Sequence, residues 1–103
     1  MYKLTVFIPD EALEGVKSAL FAAGAGTIGH YEQCCWQVQG RGQFKPLAGS
    51  TPHIGAHDKL ETVDEWRVEM VVAESAIEAV ISALKKAHPY ETPAYDVIKV
   101  LAF

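Results

Sequence analysis

The side chains with chemistry to offer are four histidines, 13 carboxylates and two cysteines in a chain of 103 residues. His53 and His57 stand in the H-x3-H spacing used by zinc sites, but within a glycine-rich stretch and with no cysteine pair beside them. His88 and Glu91 flank Pro89-Tyr90, and His30 and Glu32 flank Tyr31. Folding could gather His53, His57, His88 and Glu91 around a divalent metal ion, within one subunit or across a subunit boundary. No spacing forces that, and a hydrogen-bonded or solvated imidazole is the plainer expectation for each histidine.

Glu65, Arg67 and Glu69 alternate, so on a strand Arg67 is placed to neutralise both carboxylates. A structural charge ladder is expected there before an acid–base pair. Cys34 and Cys35 are neighbours, too strained to bond to each other, with no activating group nearby; they read as structural thiols. No Ser-His-Asp or Cys-His pairing follows from spacing, and nothing specifies an enzyme.

Two segments stand out as binding surfaces. His88-Pro89-Tyr90-Glu91-Thr92-Pro93 carries two prolines in six residues, which stiffen the turn and hold His88 and Thr92 extended. Such a turn presents an imidazole, a phenol and a carboxylate together. The second segment is a connection from Gly40 to Thr62, long for a hairpin in a small domain. Its glycines (Gly40, Gly42, Gly49 and Gly55) could expose successive N–H groups to a small anion beside Arg41 and Lys45, with Phe44 and Leu47 pinning the loop. It lacks the Lys-[Ser/Thr] pair and following helix of a phosphate loop.

The elements that must position these segments are legible as periodicities. Tyr2, Leu4, Val6 and Ile8 alternate as a strand, and Asp10 is a fair helix N-cap. Leu13, Val16 and Leu20 form a helical stripe ended at Gly24. Strands follow near Gln33–Gln39 and Val63–Val72. Ser75-Ala76-Ile77-Glu78 reads as a capping box before a helix carrying Ile77, Val80, Ile81 and Leu84, stopped by Pro89. A last strand covers Ala94–Ala102.

A shift of 64 positions lays Ala12-Leu13-Glu14 on Ala76-Ile77-Glu78 and Ser18-Ala19-Leu20 on Ser82-Ala83-Leu84. The order β-α-β-β-α-β and this half-repeat predict a ferredoxin-like α+β sandwich: a four-stranded antiparallel sheet with two helices on one face. Thr5, Phe7, Arg67, Glu69, Val71, Tyr95, Val97 and Leu101 are expected on the other face. That leaves enough apolar surface there to predict a homo-oligomer.

Composition narrows the classes. Half the residues are hydrophobic, fitting one folded domain over 1–103. A net charge of −4 lacks the basic footprint of nucleic-acid binding. No stretch is apolar enough to span a bilayer, and Met1-Tyr2-Lys3-Leu4 does not begin a signal peptide, so a cytoplasmic chain is expected.

Several separated motifs, in order, resemble one family: Gly26-Thr27-Ile28-Gly29-His30-Tyr31-Glu32-Gln33-Cys34, Gly40–Pro46, Gly49–Gly55, Glu65-Trp66-Arg67-Val68-Glu69 and His88-Pro89-Tyr90-Glu91-Thr92-Pro93-Ala94-Tyr95-Asp96. They are similar to the small domain inserted in the middle of the Nif-three-like (YqfO) proteins. His88-Pro89-Tyr90-Glu91 also resembles a turn of the CutA divalent-cation-tolerance proteins. The resemblance implies a CutA/PII-like fold, and trimers, as in CutA and PII. It does not bring over the two-metal centre or the type 2 GTP cyclohydrolase label, which belong to the main domain of the larger proteins.

The function expected is a non-catalytic, oligomeric ligand-binding or regulatory module in stand-alone form. Its ligand residues would be Gly40, Arg41, Gly42, Phe44, Gly49, Gly55, His88, Tyr90, Glu91 and Tyr95. The alternatives are a divalent-metal-binding protein of CutA character and an accessory subunit of a cyclohydrolase-like protein.

Overall fold

Apolar residues that alternate along the first strand set the architecture. In the computed structural model, which describes residues 1–103, β1 (Tyr2–Pro9) buries Leu4, Val6 and Ile8 completely. They meet Val68, Met70 and Val72 of β3 (Glu61–Val72), Leu13, Val16 and Leu20 of α1 (Leu13–Ala22), and Val80 and Leu84 of α2 (Ile77–Ala87) in one cluster. Burying each such side chain contributes about 1.5–3 kcal/mol. Both helices lie side by side on the same face of the sheet. No helix is long and apolar enough to cross a membrane.

The sheet is antiparallel throughout, in the order β2-β3-β1-β4, with β2 at Trp36–Phe44 and β4 at Tyr95–Lys99. This is the expected ferredoxin-like arrangement. The half-repeat persists in fine detail. A 3₁₀ turn at Asp10–Ala12 leads into α1, and another at Glu74–Ala76 leads into α2. The residues before them, Pro9 (φ −64, ψ 151) and Ala73 (φ −66, ψ 150), share one extended conformation.

Those 3₁₀ turns correct two sequence expectations. Ser75 lies inside its turn, and neither it nor Glu78 makes the capping-box hydrogen bonds. Asp10 also sits inside a turn, where its Oδ1 accepts a 2.7 Å hydrogen bond from Trp66 Nε1. Gly24 follows α1 with φ +112, the left-handed conformation that ends the helix.

Strand register corrects two more. Residues paired across a sheet share a face. Tyr95 opposes Val6 and Val97 opposes Leu4, so both pack on the helix-side core rather than on the open face. Asp96 and Ile98 occupy the open face in their stead, opposite Thr5 and Lys3, and Leu101, also expected there, lies beyond β4. The open face thus carries Phe7, Trp36, Val38, Val71 and Ile98, of which Trp36 (62%) and Ile98 (51%) are the most exposed.

The long connection is shorter than expected. Gly40, Arg41, Gly42, Gln43 and Phe44 are strand residues paired to Glu65, Asp64, Val63, Thr62 and Glu61, which leaves residues 45–60 as the loop. Because β1 ends opposite Glu65, the tip of the β2–β3 hairpin overhangs it. The turn between α2 and β4 fills the notch beneath that overhang.

Candidate functional site

The turn is anchored through its histidine. His88 is 5% exposed, with its Nε2 2.7 Å from the carbonyl oxygen of Phe7, while Nδ1 accepts the Tyr90 backbone N–H at 3.1 Å. These partners assign the proton to Nε2. Burial, the dominant influence, lowers the His88 pKa from the usual imidazole value. The Phe7 carbonyl and Glu65 oppose that shift, and the charge of His53 adds to it. A neutral ring with both nitrogens engaged serves as a structural peg.

With His88 fixed, Tyr90 is thrown across the open side of the hairpin. Its ring lies against His88 (centroids 4.9 Å apart), Phe44 (6.0 Å) and His53 (6.3 Å). Its hydroxyl donates to Glu65 Oε2 at 2.9 Å. Burial first, then the Glu65 carboxylate, raises the phenol's pKa well above its ordinary value. The Glu65 carboxyl group lies over Gly42 so closely that a Cβ there would overlap it.

Arg67 does not serve Glu65 as the charge ladder supposed. It pairs with Glu69 at 2.8 Å, and Lys3 holds the same carboxylate at 3.0 Å, lowering the Glu69 pKa chiefly through the Lys3 contact.

Glu91 ties the loop to the turn, its two oxygens accepting the Thr51 backbone N–H at 3.3 and 3.1 Å. Loop, turn and hairpin tip together enclose a cleft of about 440 Å³. Phe44, Tyr90, Pro52 and Ile54 form apolar walls, and Glu65, Glu91, Lys45 and His53 supply polar groups. The volume falls within the range typical of small-molecule sites.

The predicted residues therefore divide. Phe44, Tyr90 and Glu91 line the cleft, with His88 directly behind Tyr90. Gly42 makes room for Glu65, and Gly49 (φ +97) and Gly55 (φ +93) bend the loop. Gly40 and Arg41 are ladder residues, with Arg41 3.9 Å from Asp64, so they form no anion cradle. Tyr95 faces the core.

The four candidate metal ligands do not converge. The ring of His57 bonds the Ser50 carbonyl (2.8 Å), His53 lies 3.7 Å from Glu11, His88 is fully engaged, and Glu91 holds Thr51. No three His, Cys, Asp or Glu side chains gather as a metal site. Glu65 and the walls from Pro52 and Ile54 escaped the sequence reading. The available signal was the pair of glycines opposite Glu65 and Val63 in hairpin register.

The fold is a CutA/PII-like ferredoxin sandwich. The CutA1 protein of Pyrococcus horikoshii superimposes with a TM-score of 0.71 at 21% identity, covering 100% of this chain and 86% of that one. The GlnK protein of B. subtilis gives 0.63 at 13%, covering 96% and 80%. These two likenesses show the fold alone. No family model matches the chain.

Sequence relatives are closer. The chain is 49% identical over 98 residues to the "GTP cyclohydrolase 1 type 2 homolog" of Bacillus subtilis, covering 95% of this chain and 26% of that protein. It is 46% identical over 96 residues to the protein so named in Halalkalibacterium halodurans, covering 93% and 26%. A Bacillus cereus "protein related to NIF3" superimposes with a TM-score of 0.79 at 42% identity, covering 93% of this chain and 24% of that one. The chain is homologous to the CutA-like segment of the Nif-three-like (YqfO) family and spans about a quarter of the length of those relatives.

Proposed function

We propose that the chain is a non-catalytic, self-associating ligand-binding module, with its ligand seated in the cleft between residues 45–60 and the His88–Ala94 turn. The observation that carries this reading is the anchoring of the cleft. A buried histidine, a phenol–carboxylate hydrogen bond and a carboxylate–amide clamp hold three separate segments around one space. A rigid, preorganised pocket of this kind is suited to binding. Nothing in it pairs a nucleophile with a base, which supports binding rather than turnover.

Self-association is supported by the open sheet face, where Trp36, Val38 and Ile98 are solvent-exposed in the single chain. A trimer built on that face would place the cleft near a subunit seam. The cytoplasm is the proposed location, in keeping with two unbonded cysteines. In a longer Nif-three-like protein the same module would report a bound ligand to the rest of the chain.

The test is chemical-shift mapping of the labelled chain against a mixed small-fragment library. Hits clustering on Phe44, Ile54, Tyr90 and Thr51 are expected. Hits confined to the opposite, helical side of the molecule would overturn the reading.

A further inference from the structure

Glu65 has a peculiar position among the carboxylates of this chain. It is half-buried, it lines the cleft, and no lysine, arginine or histidine lies within salt-bridge distance of it. Its single hydrogen bond comes from the Tyr90 hydroxyl to Oε2, with Gly42 clearing the space the carboxyl group occupies. A neighbouring strand position, Glu69, shows the alternative, since two cations cover it. Glu65 is therefore a fixed negative charge held by a neutral donor, aimed into a cavity with aromatic walls.

The other charged groups of the cleft do not cancel it. Glu91 is a second carboxylate, already bonded to Thr51. His53 faces Glu11, and Lys45 is an exposed side chain. A fixed, partly desolvated charge interacts with a ligand more strongly than a mobile, solvated one. The rings of Phe44 and Tyr90 add the negative faces that attract cations.

Resting on the ligand-binding reading above, we infer that the cleft takes a small organic cation, a protonated amine or guanidine on an apolar body. The head group meets Glu65 beneath Tyr90, and the body lies against Pro52 and Ile54. This replaces the anion expected from the glycines with a ligand of opposite charge.

Three probes of similar shape separate the possibilities: 2-phenylethylamine, 2-phenylethanol and phenylacetate, titrated by NMR into the 103-residue chain. The amine is expected to shift the signals of Phe44, Ile54 and Tyr90 and to bind about tenfold more tightly than the alcohol. Glu65→Gln keeps an oxygen for the Tyr90 hydroxyl and should abolish the amine's roughly tenfold advantage over the alcohol. Phenylacetate binding in the cleft as tightly as the amine, or an amine preference that survives Glu65→Gln, would overturn the cation assignment while sparing the cleft as a binding site. Failure of all three probes to perturb the cleft signals would remove both.

Discussion

Tyr90 and Glu65, 25 residues apart in sequence, are joined by a 2.9 Å hydrogen bond across the open side of the hairpin. That bond connects the rigid turn after α2 to the overhanging tip of β2–β3, and the cleft exists because the two are connected. Tyr90→Phe keeps the ring contacts and removes the donor. It should lower unfolding stability by about 1 kcal/mol, measured by urea denaturation. The phenol of the wild-type chain should stay protonated above the range of an ordinary tyrosine in an ultraviolet titration. Ionisation of all four tyrosines at the ordinary value would contradict the buried bond.

The two glycines of β2 should respond differently to the same substitution. A Cβ at Gly40 meets open space, whereas one at Gly42 runs into the Glu65 carboxyl group, which Tyr90 holds in place. Gly40→Ala should be neutral or stabilise by about 0.5 kcal/mol, since alanine has less backbone freedom to lose. Gly42→Ala should destabilise by about 1 kcal/mol, the scale of one lost hydrogen bond. Equal effects in thermal melts would contradict the close approach.

His88 gives the chain a predictable response to acid. Its folded-state pKa lies below the ordinary 6.5, so the unfolded chain binds the proton more readily. The stability that His88 contributes is intact above 6.5 and is lost as pH falls from there through the lowered folded value. Melting temperature should therefore drop as pH falls below about 6.5. By NMR, the His88 ring should titrate below the ordinary imidazole value, and a His88 midpoint at or above 6.5 would refute the burial argument.

On the open face, Trp36 is the largest exposed hydrophobic group on a strand. Trp36→Glu should shift the mass found by light scattering toward the 11.2 kDa of a single chain, without unfolding it. A wild-type chain that is already monomeric at high concentration would contradict self-association through this face.

The sequence reading and the structure agree where burial has a simple period. Leu4, Val6 and Ile8 alternate, and Val80 and Leu84 recur at helical spacing, so the order of elements and the sandwich were legible. They part where position depends on a partner strand. Tyr95 and Val97 face the core because β1 fixes their register, which their own alternation cannot reveal.

Gly40 and Gly42 resembled loop residues because glycine usually marks turns. Here at least Gly42 is required for its missing side chain, in extended backbone under Glu65. His88, Tyr90 and Glu91 were visible as a rigid, chemically rich turn. Their partners Phe7, Glu65 and Thr51 were not, since no local pattern encodes contacts across 81, 25 and 40 residues.

The most direct test of the cleft as a binding site is a crystal of the chain soaked in a cocktail of small cationic, neutral and anionic fragments. Ordered density between Tyr90 and Ile54, within hydrogen-bonding distance of Glu65, is the predicted result. A cleft filled only with water, while fragments occupy other surfaces of the same crystal, would contradict the account.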